Sequence, residues 1–348
     1  MENNIHMQLY LAPLEGITTY IYRNAYQKYF APMDQYFAPF MVASEQRTMS
    51  KRESGDILPE HNQGLSLVPQ ILTNNASAFV KTASAIHDMG YQEINLNLGC
   101  PSGTVVAKGR GAGFLAEPEK LDQFLDKVFS WGQMDISVKT RIGKYDPEEF
   151  EELLEIFNRY PIRQLIIHPR VQQDFYGNKP NLSVFANAVE KSSNPVCYNG
   201  DIFTLQDYIS IKERFPDLER VMLGRGVLGN PWLVQQIRTW ELSGEKVDTG
   251  VLNLDKEDRI ISDTVVRIED MTCFREFHDT ILTAYQNALS GDRNVLFKMK
   301  ELWVYFLPLF PNGEKEGKLI RKAQRVAEYK SIVEGLFSSF GRNMLKCH

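Results

Sequence analysis

The most constraining feature of the chain is an alternation of short β-rich runs with helical patterns. Eight such runs occur, at 8–12, 35–42, 66–72, 93–98, 136–139, 164–168, 195–198 and 220–223. Helical patterns lie between them at 76–89, 118–131, 147–160, 182–190 and 205–215. Strands that alternate with helices form parallel sheets, and eight such units close a (β/α)8 TIM barrel. We therefore predict an α/β barrel. An open doubly wound sheet is the alternative, which the absence of a GxGxxG after the first run disfavours.

The chain is longer than a barrel requires. It has 348 residues, whereas α/β barrels usually need about 250. After Trp240 the strand signals fade, SGEKVDTG has the composition of a linker, and helical periodicity follows. We predict a catalytic barrel at 1–242, a linker at 243–253 and an all-helical domain at 254–348.

Composition excludes several classes of protein. Hydrophobic residues make up 43% and charged residues 24%, which argues against disorder. No apolar run approaches the roughly 20 residues of a membrane span, and the N-terminus lacks a signal-peptide pattern. Four cysteines without zinc-ligand spacing predict neither a disulfide framework nor a metal site. A reducing cytoplasm is the expected compartment, and no protein partner can be inferred.

Charge is distributed unevenly along the chain. The net charge of −5 argues against a strong nucleic-acid footprint. From Arg293 onward, however, eleven basic and five acidic residues give +6, which leaves −11 for the rest. The spacing of Lys318, Arg321, Lys322 and Arg325 places them on one helical face. A solvated face is the simpler interpretation of such a run taken alone.

Glycine-containing turns follow the last two predicted strands. Asn199, Gly200 and Asp201 follow the seventh run, and Gly224 and Arg225 follow the eighth. Barrel enzymes often bind phosphate between these two loops, since glycine lets backbone N–H groups approach an anion and arginine adds a bidentate donor. The pair of turns therefore predicts a phosphate site.

Polar residues collect at the ends of other predicted strands. Gln70, Lys139 and His168 converge on the predicted barrel mouth, where a buried cation needs a partner. A polar cofactor ring would supply one. Cys100 lies on a loop between glycine and proline, where chemistry is favoured over core packing, and a thiol can act as an acid or a nucleophile. No Cys–His pair is readable, so hydrolysis is not required.

The next loop, VAKGRGAG at 106–113, combines three glycines with Lys108 and Arg110. Flexibility with positive charge indicates a lid over an anionic substrate. An exposed flexible loop is an equally good interpretation.

Taken together, the motifs resemble the tRNA-dihydrouridine synthases, a family of flavin enzymes. The matching segments occur in family order across nearly all of the first 235 residues, and GCPS and GRGVLGNPW are the most specific parts. They are LAPLEGIT, VPQIL, INLNLGCPS, KGRGAGFL, VKTRIG, IHPR, YNGDI and MLGRGVLGNPWL. The resemblance implies a barrel that holds FMN, reduced by NADPH. Reduced flavin would pass hydride to C6 of a uridine, and a cysteine would give the proton to C5.

The resemblance also implies roles for single residues. Cys100 would be the proton donor and Asn97 would hold the target uracil. Arg170 and Tyr176 would face the substrate. The residues implied to contact the flavin or its phosphate end are Pro13, Leu14, Glu15, Gln70, Lys139, His168, Asn199, Gly200, Asp201, Gly224 and Arg225. Leu14 replaces the family's methionine with similar volume, whereas the family's Asp–Trp pair after Tyr176 is absent.

The predicted function is therefore that of a tRNA-dihydrouridine synthase. A uridine within folded tRNA must leave its stack to reach a barrel mouth, and the basic helical tail, with Lys108 and Arg110, would contact the backbone. Two alternatives stay open: an FMN barrel oxidoreductase acting on a free pyrimidine, similar to dihydroorotate dehydrogenase, and a non-catalytic RNA-binding protein on a barrel scaffold.

Overall fold

The computed structural model describes residues 6–243 and 268–344. It contains eight strand positions in chain order, two of them split into two segments. They are β1 (Gln8–Leu11), β2 (Gln35–Phe37 and Met41–Val42), β3 (Leu67–Val68 and Gln70–Leu72), β4 (Glu93–Leu98), β5 (Asp135–Arg141), β6 (Leu165–His168), β7 (Val196–Tyr198) and β8 (Arg220–Leu223). The breaks contain Pro39 and Pro69, because proline cannot donate to a strand ladder.

The strands form a parallel barrel. Each strand pairs with the next one in the chain, from Tyr10 opposite Gln35 at the β1–β2 edge to Tyr198 opposite Val221 at the β7–β8 edge. Gln8 of β1 also pairs with Arg220 of β8, so every strand has two parallel neighbours. The predicted (β/α)8 class is confirmed, and all eight strands fall where the apolar runs predicted them.

Fourteen α-helices occur in the described residues. They are α1 (Tyr20–Tyr29), α2 (Lys51–Ile57), α3 (Ala76–His87), α4 (Gly103–Val106), α5 (Pro118–Ser130), α6 (Glu149–Phe157), α7 (Leu182–Lys191), α8 (Leu205–Arg214), α9 (Arg225–Gly229), α10 (Leu233–Ser243), α11 (Ile268–Ala288), α12 (Asp292–Phe306), α13 (Glu314–Lys322) and α14 (Val326–Met344). The five predicted barrel helices are present; four are slightly shorter than predicted, and α7 extends one residue further, to Lys191. Five further helices before residue 244 were not predicted, namely α1, α2, α4, α9 and α10. Of these, α2 begins with a capping box in which Ser50 and Glu53 bond each other's backbone.

Two compact units make up the described chain. The first comprises the described parts of Met1–Glu15, Met33–Asp201 and Ile211–Gly224, and it contains every strand. The second comprises Gly16–Pro32, Ile202–Ser210 and the described parts of Arg225–His348. The predicted linker from residue 244 onward, and the predicted domain start at 254, lie outside the described residues. The division at 242, 243–253 and 254 therefore stays a prediction.

Each unit has its own core. Inside the barrel an apolar cluster contains Tyr10, Ala12, Phe37, Val68, Ile166, Cys197 and Met222, all buried. The second unit is held by aromatic packing, centred on Phe274 and Phe277 with ring neighbours on several helices. C-terminal helices are present there, as predicted. No helix in the described residues has the length and apolar character needed to cross a membrane.

Candidate active site

A chain of amide hydrogen bonds crosses one side of the barrel interior. Asn97 Nδ2 donates to Gln70 Oε1 at 2.8 Å, Gln70 Nε2 donates to Asn95 Oδ1 at 2.7 Å, and Asn95 Nδ2 donates to the Ser137 hydroxyl at 2.9 Å. All four residues are buried. Their positions follow from the two-residue repeat of strands, since Asn95 and Asn97 face inward while Ile94, Leu96 and Leu98 pack outward.

The carbonyl end of Asn97 fixes the loop that carries Cys100. Asn97 Oδ1 accepts from Gly99 N at 3.1 Å and from Cys100 N at 2.9 Å. The Cys100 side chain is half-buried, and burial raises the pKa of its thiol above the usual value. The thiol is therefore protonated at neutral pH, as an acid must be before it donates.

Lys139 lies beside Asn97 in the sheet register. Burial, together with the positive charge of Arg141, lowers the pKa of Lys139 to about 8. Within the described residues its ammonium group has no hydrogen-bond acceptor, and its electrostatic neighbours include Cys100 and Cys197. The ammonium group of Lys139 is therefore available to bind an electron-rich group of a ligand.

Arg141 is a site residue that the sequence analysis missed. Its guanidinium is buried and donates to three backbone carbonyls, Gly99 at 3.1 Å, Val171 at 2.8 Å and Phe175 at 2.6 Å. It also lies 5.6 Å from the ring centroid of Tyr176. The loop after β4 is thereby joined to the loop after β6. One signal was available: Arg141 is two residues beyond Lys139, so both side chains face the same side of β5.

His168 and Arg170 form a second polar group at the end of β6. Arg170 Nη1 lies 3.0 Å from His168 Nε2 and 2.9 Å from Asp201 Oδ1, while Nη2 lies 2.5 Å from Asp201 Oδ2. A guanidinium has no acceptor, so His168 Nε2 accepts and the ring proton is on Nδ1. Arg170 is only 2% exposed, so its contacts favour a positioning role over direct contact with a substrate.

The predicted phosphate residues meet protein groups of their own. Asn199 Nδ2 donates to Met222 O at 2.8 Å, which joins the ends of β7 and β8. Gly200 is required by packing, because a Cβ there would lie 2.0 Å from the buried Tyr198 hydroxyl. The Asp201 carboxylate forms an ion pair with Arg170, which argues against a direct contact between Asp201 and a bound phosphate. Gly224 is half-buried beside Ala12 and Leu14, whereas Arg225 belongs to the second unit, where its guanidinium lies 5.1 Å from the Phe203 ring.

The segment predicted as a lid is packed over much of its length. Asn74 Nδ2 donates to the carbonyls of Lys108 and Gly109, each at 3.1 Å. Residues 111–115 are buried, and a Cβ on Gly111, whose φ is +54°, would meet Cys100 O at 2.8 Å. Lys108 is exposed at the turn and Arg110 half-exposed. These contacts favour a fixed loop beside Cys100 over the flexible loop expected from the glycines.

The segment after β1 lies above the apolar barrel cluster. Leu14 packs against that cluster, Pro13 is half-buried and Glu15 is exposed. Tyr176 is 51% exposed, and its ring centroid lies 6.0 Å from that of His168.

Comparison with known proteins identifies the family. The family model described as dihydrouridine synthase (Dus) matches residues 10–302. The chain belongs to the dihydrouridine synthase family. A relative in Synechocystis sp., "Probable tRNA-dihydrouridine synthase 1", is 25% identical over 96% of this chain and 88% of its own length. "tRNA-dihydrouridine synthase B" of Pasteurella multocida is 27% identical over 65% of this chain and 67% of its own length.

A solved structure shares the fold of this dihydrouridine synthase. Histamine dehydrogenase from Rhizobium sp. 4-9 aligns with a TM-score of 0.50 and 11% identity, over 68% of this chain and 46% of that one. Family membership confirms the resemblance that the sequence motifs indicated. It also confirms the predicted enzyme class, a flavin-dependent oxidoreductase that makes dihydrouridine. The roles of single residues stay predictions.

Proposed function

We propose that this dihydrouridine synthase reduces the 5,6 double bond of uridines in tRNA, with FMN as cofactor, NADPH as reductant and Cys100 as proton donor. The observation that carries the proposal is the position of Cys100, whose backbone N–H donates to Asn97 Oδ1 next to Lys139 on the neighbouring strand. The raised pKa of its thiol agrees with a role as proton donor. The tRNA substrate is supported by the relatives, whose names specify tRNA.

The residues present fit a flavin. Lys139 offers an ammonium group without an acceptor in the described chain, and the amides of Gln70 and Asn97 lie along the adjacent strands. Such groups suit the polar edge of a flavin ring, where a nearby positive charge favours the reduced form. When bound, the flavin supplies the hydride. Pro13, Leu14, Glu15 and His168 are proposed to contact its ring, and Asn199, Gly200, Gly224 and Arg225 its phosphate. Asp201 would act indirectly, through Arg170.

The chain's own residues supply the rest of the reaction. Asn97 would orient the uracil while its side-chain oxygen keeps the Cys100 loop in place. Cys100 would then give its proton to C5 as hydride reaches C6, so that both carbons of the former double bond gain one hydrogen. Arg141 holds the loops after β4 and β6 together around this point. Tyr176, exposed beside Arg141, would face the substrate.

Contacts with the RNA backbone are proposed for the basic residues away from the barrel interior. Lys318, Arg321, Lys322 and Arg325 are all exposed. The first three belong to α13, whereas Arg325 lies beyond its end at Lys322, so the predicted single helical face holds for three of the four. Lys108 and Arg110 would add contacts near Cys100. The cytoplasmic location stays a prediction.

The test is a comparison of substrates. The flavin-loaded protein is given NADPH with unmodified tRNA or with free uridine, and dihydrouridine is measured by mass spectrometry. Product in tRNA alone is expected. Turnover of free uridine at a comparable rate would support the free-pyrimidine alternative, and tRNA binding without any product would support the non-catalytic one.

A further inference from the structure

Three large aromatic side chains are exposed on two neighbouring loops. Tyr145, on the loop after β5, is 57% exposed; Phe175 and Tyr176, on the loop after β6, are 50% and 51% exposed. No other aromatic side chain described in the first unit is exposed to this degree. A cluster of exposed rings indicates a binding surface more strongly than scattered apolar residues do.

Hydrogen bonds hold the two loops side by side. Gln172 N donates to Gly143 O at 3.0 Å, and Ile142 N donates to Arg170 O at 3.2 Å. Gln172 Nε2 also donates to Pro101 O at 3.0 Å, so the loop after β6 is bonded to the residue that follows Cys100. The aromatic loops therefore adjoin the loop of the proposed proton donor.

The backbone of Phe175 is strained. Its φ of 47° and ψ of −95° lie near those of the γ-turn with positive φ, a backbone conformation that residues other than glycine rarely adopt. Such strain persists only where the surroundings impose it and it tends to mark functional sites. Here Arg141 binds the Phe175 carbonyl and Asp174 accepts from Val171 N at 3.0 Å. The strain presents a phenyl ring to solvent, where it adds nothing to the core.

Cations lie against the rings. The Lys144 ammonium is 4.6 Å from the Tyr145 ring centroid, and the Arg141 guanidinium is 5.6 Å from that of Tyr176. Exposed rings beside a surface cation are typical of surfaces that bind single-stranded nucleic acid, where bases stack on aromatic faces and phosphates approach the cation. Here that cation is Lys144, because the Arg141 guanidinium is buried and donates to backbone carbonyls. We propose that Tyr145 and Phe175 form a stacking subsite for the unpaired bases next to the target uridine.

This subsite rests on the proposed tRNA substrate. Its test uses Phe175→Gly, since glycine accepts a positive φ without strain. Thermal stability and flavin absorbance should be unchanged or improved, while the Kd for unmodified tRNA should rise about 5- to 150-fold, the measured range for loss of one stacked base. Tyr145→Leu should weaken binding by a similar factor, and Tyr145→Trp should restore it. Leu242→Ala, at an 83% exposed position on α10, is the matched control and should bind as the unaltered protein does.

A second measurement separates stacking from other effects. A short single-stranded RNA with one uridine is compared with the same RNA carrying abasic neighbours of that uridine. Abasic neighbours should weaken binding to the unaltered protein but add little loss in Phe175→Gly. Equal affinities of both variants and the unaltered protein would overturn the subsite. It would also be overturned if size-exclusion chromatography showed the unaltered protein to be a dimer and Phe175→Gly a monomer, because the rings would then belong to an interface with a second copy. If the unaltered protein binds RNA but makes no dihydrouridine, the proposed function fails while the stacking result stands.

Discussion

The guanidinium of Arg170 and the carboxylate of Asp201 form a bidentate ion pair, with nitrogen–oxygen distances of 2.9 and 2.5 Å. Because Arg170 is buried, removal of its partner leaves a positive charge uncompensated inside the protein. Asp201→Ala is therefore expected to lower the free energy of unfolding by about 3–5 kcal/mol, the usual cost of breaking a buried pair. Urea denaturation of the flavin-free protein measures it.

An exposed ion pair provides the control for this prediction. Arg163 and Asp135 are 3.7 Å apart, with both side chains about 60% exposed (61% and 59%). Asp135→Ala should cost at most about 1 kcal/mol, because water screens the pair. Similar losses in Asp201→Ala and Asp135→Ala would contradict the structural role given to Arg170.

The rate of turnover should depend on pH because Cys100 must be protonated to act as the acid. The pKa of its thiol is raised by burial, so the protonated form persists through neutral pH and is lost as pH rises above the shifted value. The rate of product formation in single-turnover experiments should therefore fall on the alkaline side only. Cys100→Ala should lower the rate about 10²- to 10⁴-fold, the usual contribution of a general acid, and should retain flavin absorbance.

Cys273 offers the matched control for the thiol. It is half-buried in α11, where its sulfur lies 3.4 Å from Tyr29 O, in the second unit. Cys273→Ala should keep normal turnover. If Cys100→Ala remains fully active on unmodified tRNA, another group donates the proton.

The strands were predictable because their signal is local. Each run of apolar residues, bounded by turns, fell on an observed strand, and even the irregular run at 35–42 proved to be one barrel position broken at Pro39. The positions of Cys100 and Lys139 follow from that pattern, since loops after parallel strands meet at one face. The inward alternation of Asn95 and Asn97 was equally readable, but only Asn97 received a predicted role, and that role came from the family resemblance.

What the sequence could not show are the contacts between distant segments. Arg170 and Asp201 are 31 positions apart, and no local sequence pattern indicates that the two side chains form an ion pair. The carbonyls that bind Arg141 belong to loops 30 to 42 positions away. Likewise the hydroxyl of Tyr26 donates to Pro231 O across 205 positions, within a unit that combines α1 with the C-terminal helices.

Lys139 should lower the stability of the flavin-free protein. Its pKa of about 8 in the folded state lies below the value of about 10.4 for a free lysine. Burial in the folded state therefore disfavours the charged form and lowers the free energy of unfolding. This destabilisation is fully present below pH 8 and disappears as pH rises past about 10.4. Lys139→Met should raise the Tm at pH 7, lose this advantage at alkaline pH, and weaken FMN binding. Thermal scans from pH 7 to 10.5, with and without FMN, test all three expectations.

A surface lysine on α5 controls for the loss of charge. Lys127 is exposed, so Lys127→Met should alter neither the pH profile of Tm nor the affinity for FMN. A lower Tm in Lys139→Met at pH 7 would mean that another group compensates the ammonium charge.

The buried hydroxyl of Tyr329 joins α11, α12 and α14 in the second unit. Trp303 Nε1 lies 2.5 Å from this oxygen and His278 Nε2 lies 2.6 Å from it. Because an indole only donates, the hydroxyl accepts from Trp303 and donates to His278, whose Nδ1 then donates to Asp279 at 2.9 Å. Tyr329→Phe would leave a buried donor and a buried acceptor unpaired, and should lower the free energy of unfolding by about 1–3 kcal/mol for each group left unpaired.

Urea denaturation measures this loss. The control is Tyr145→Phe at an exposed position, whose free energy of unfolding should lie within about 0.5 kcal/mol of that of the unaltered protein. Equal stabilities of the two variants would show that the three helices do not depend on this hydroxyl.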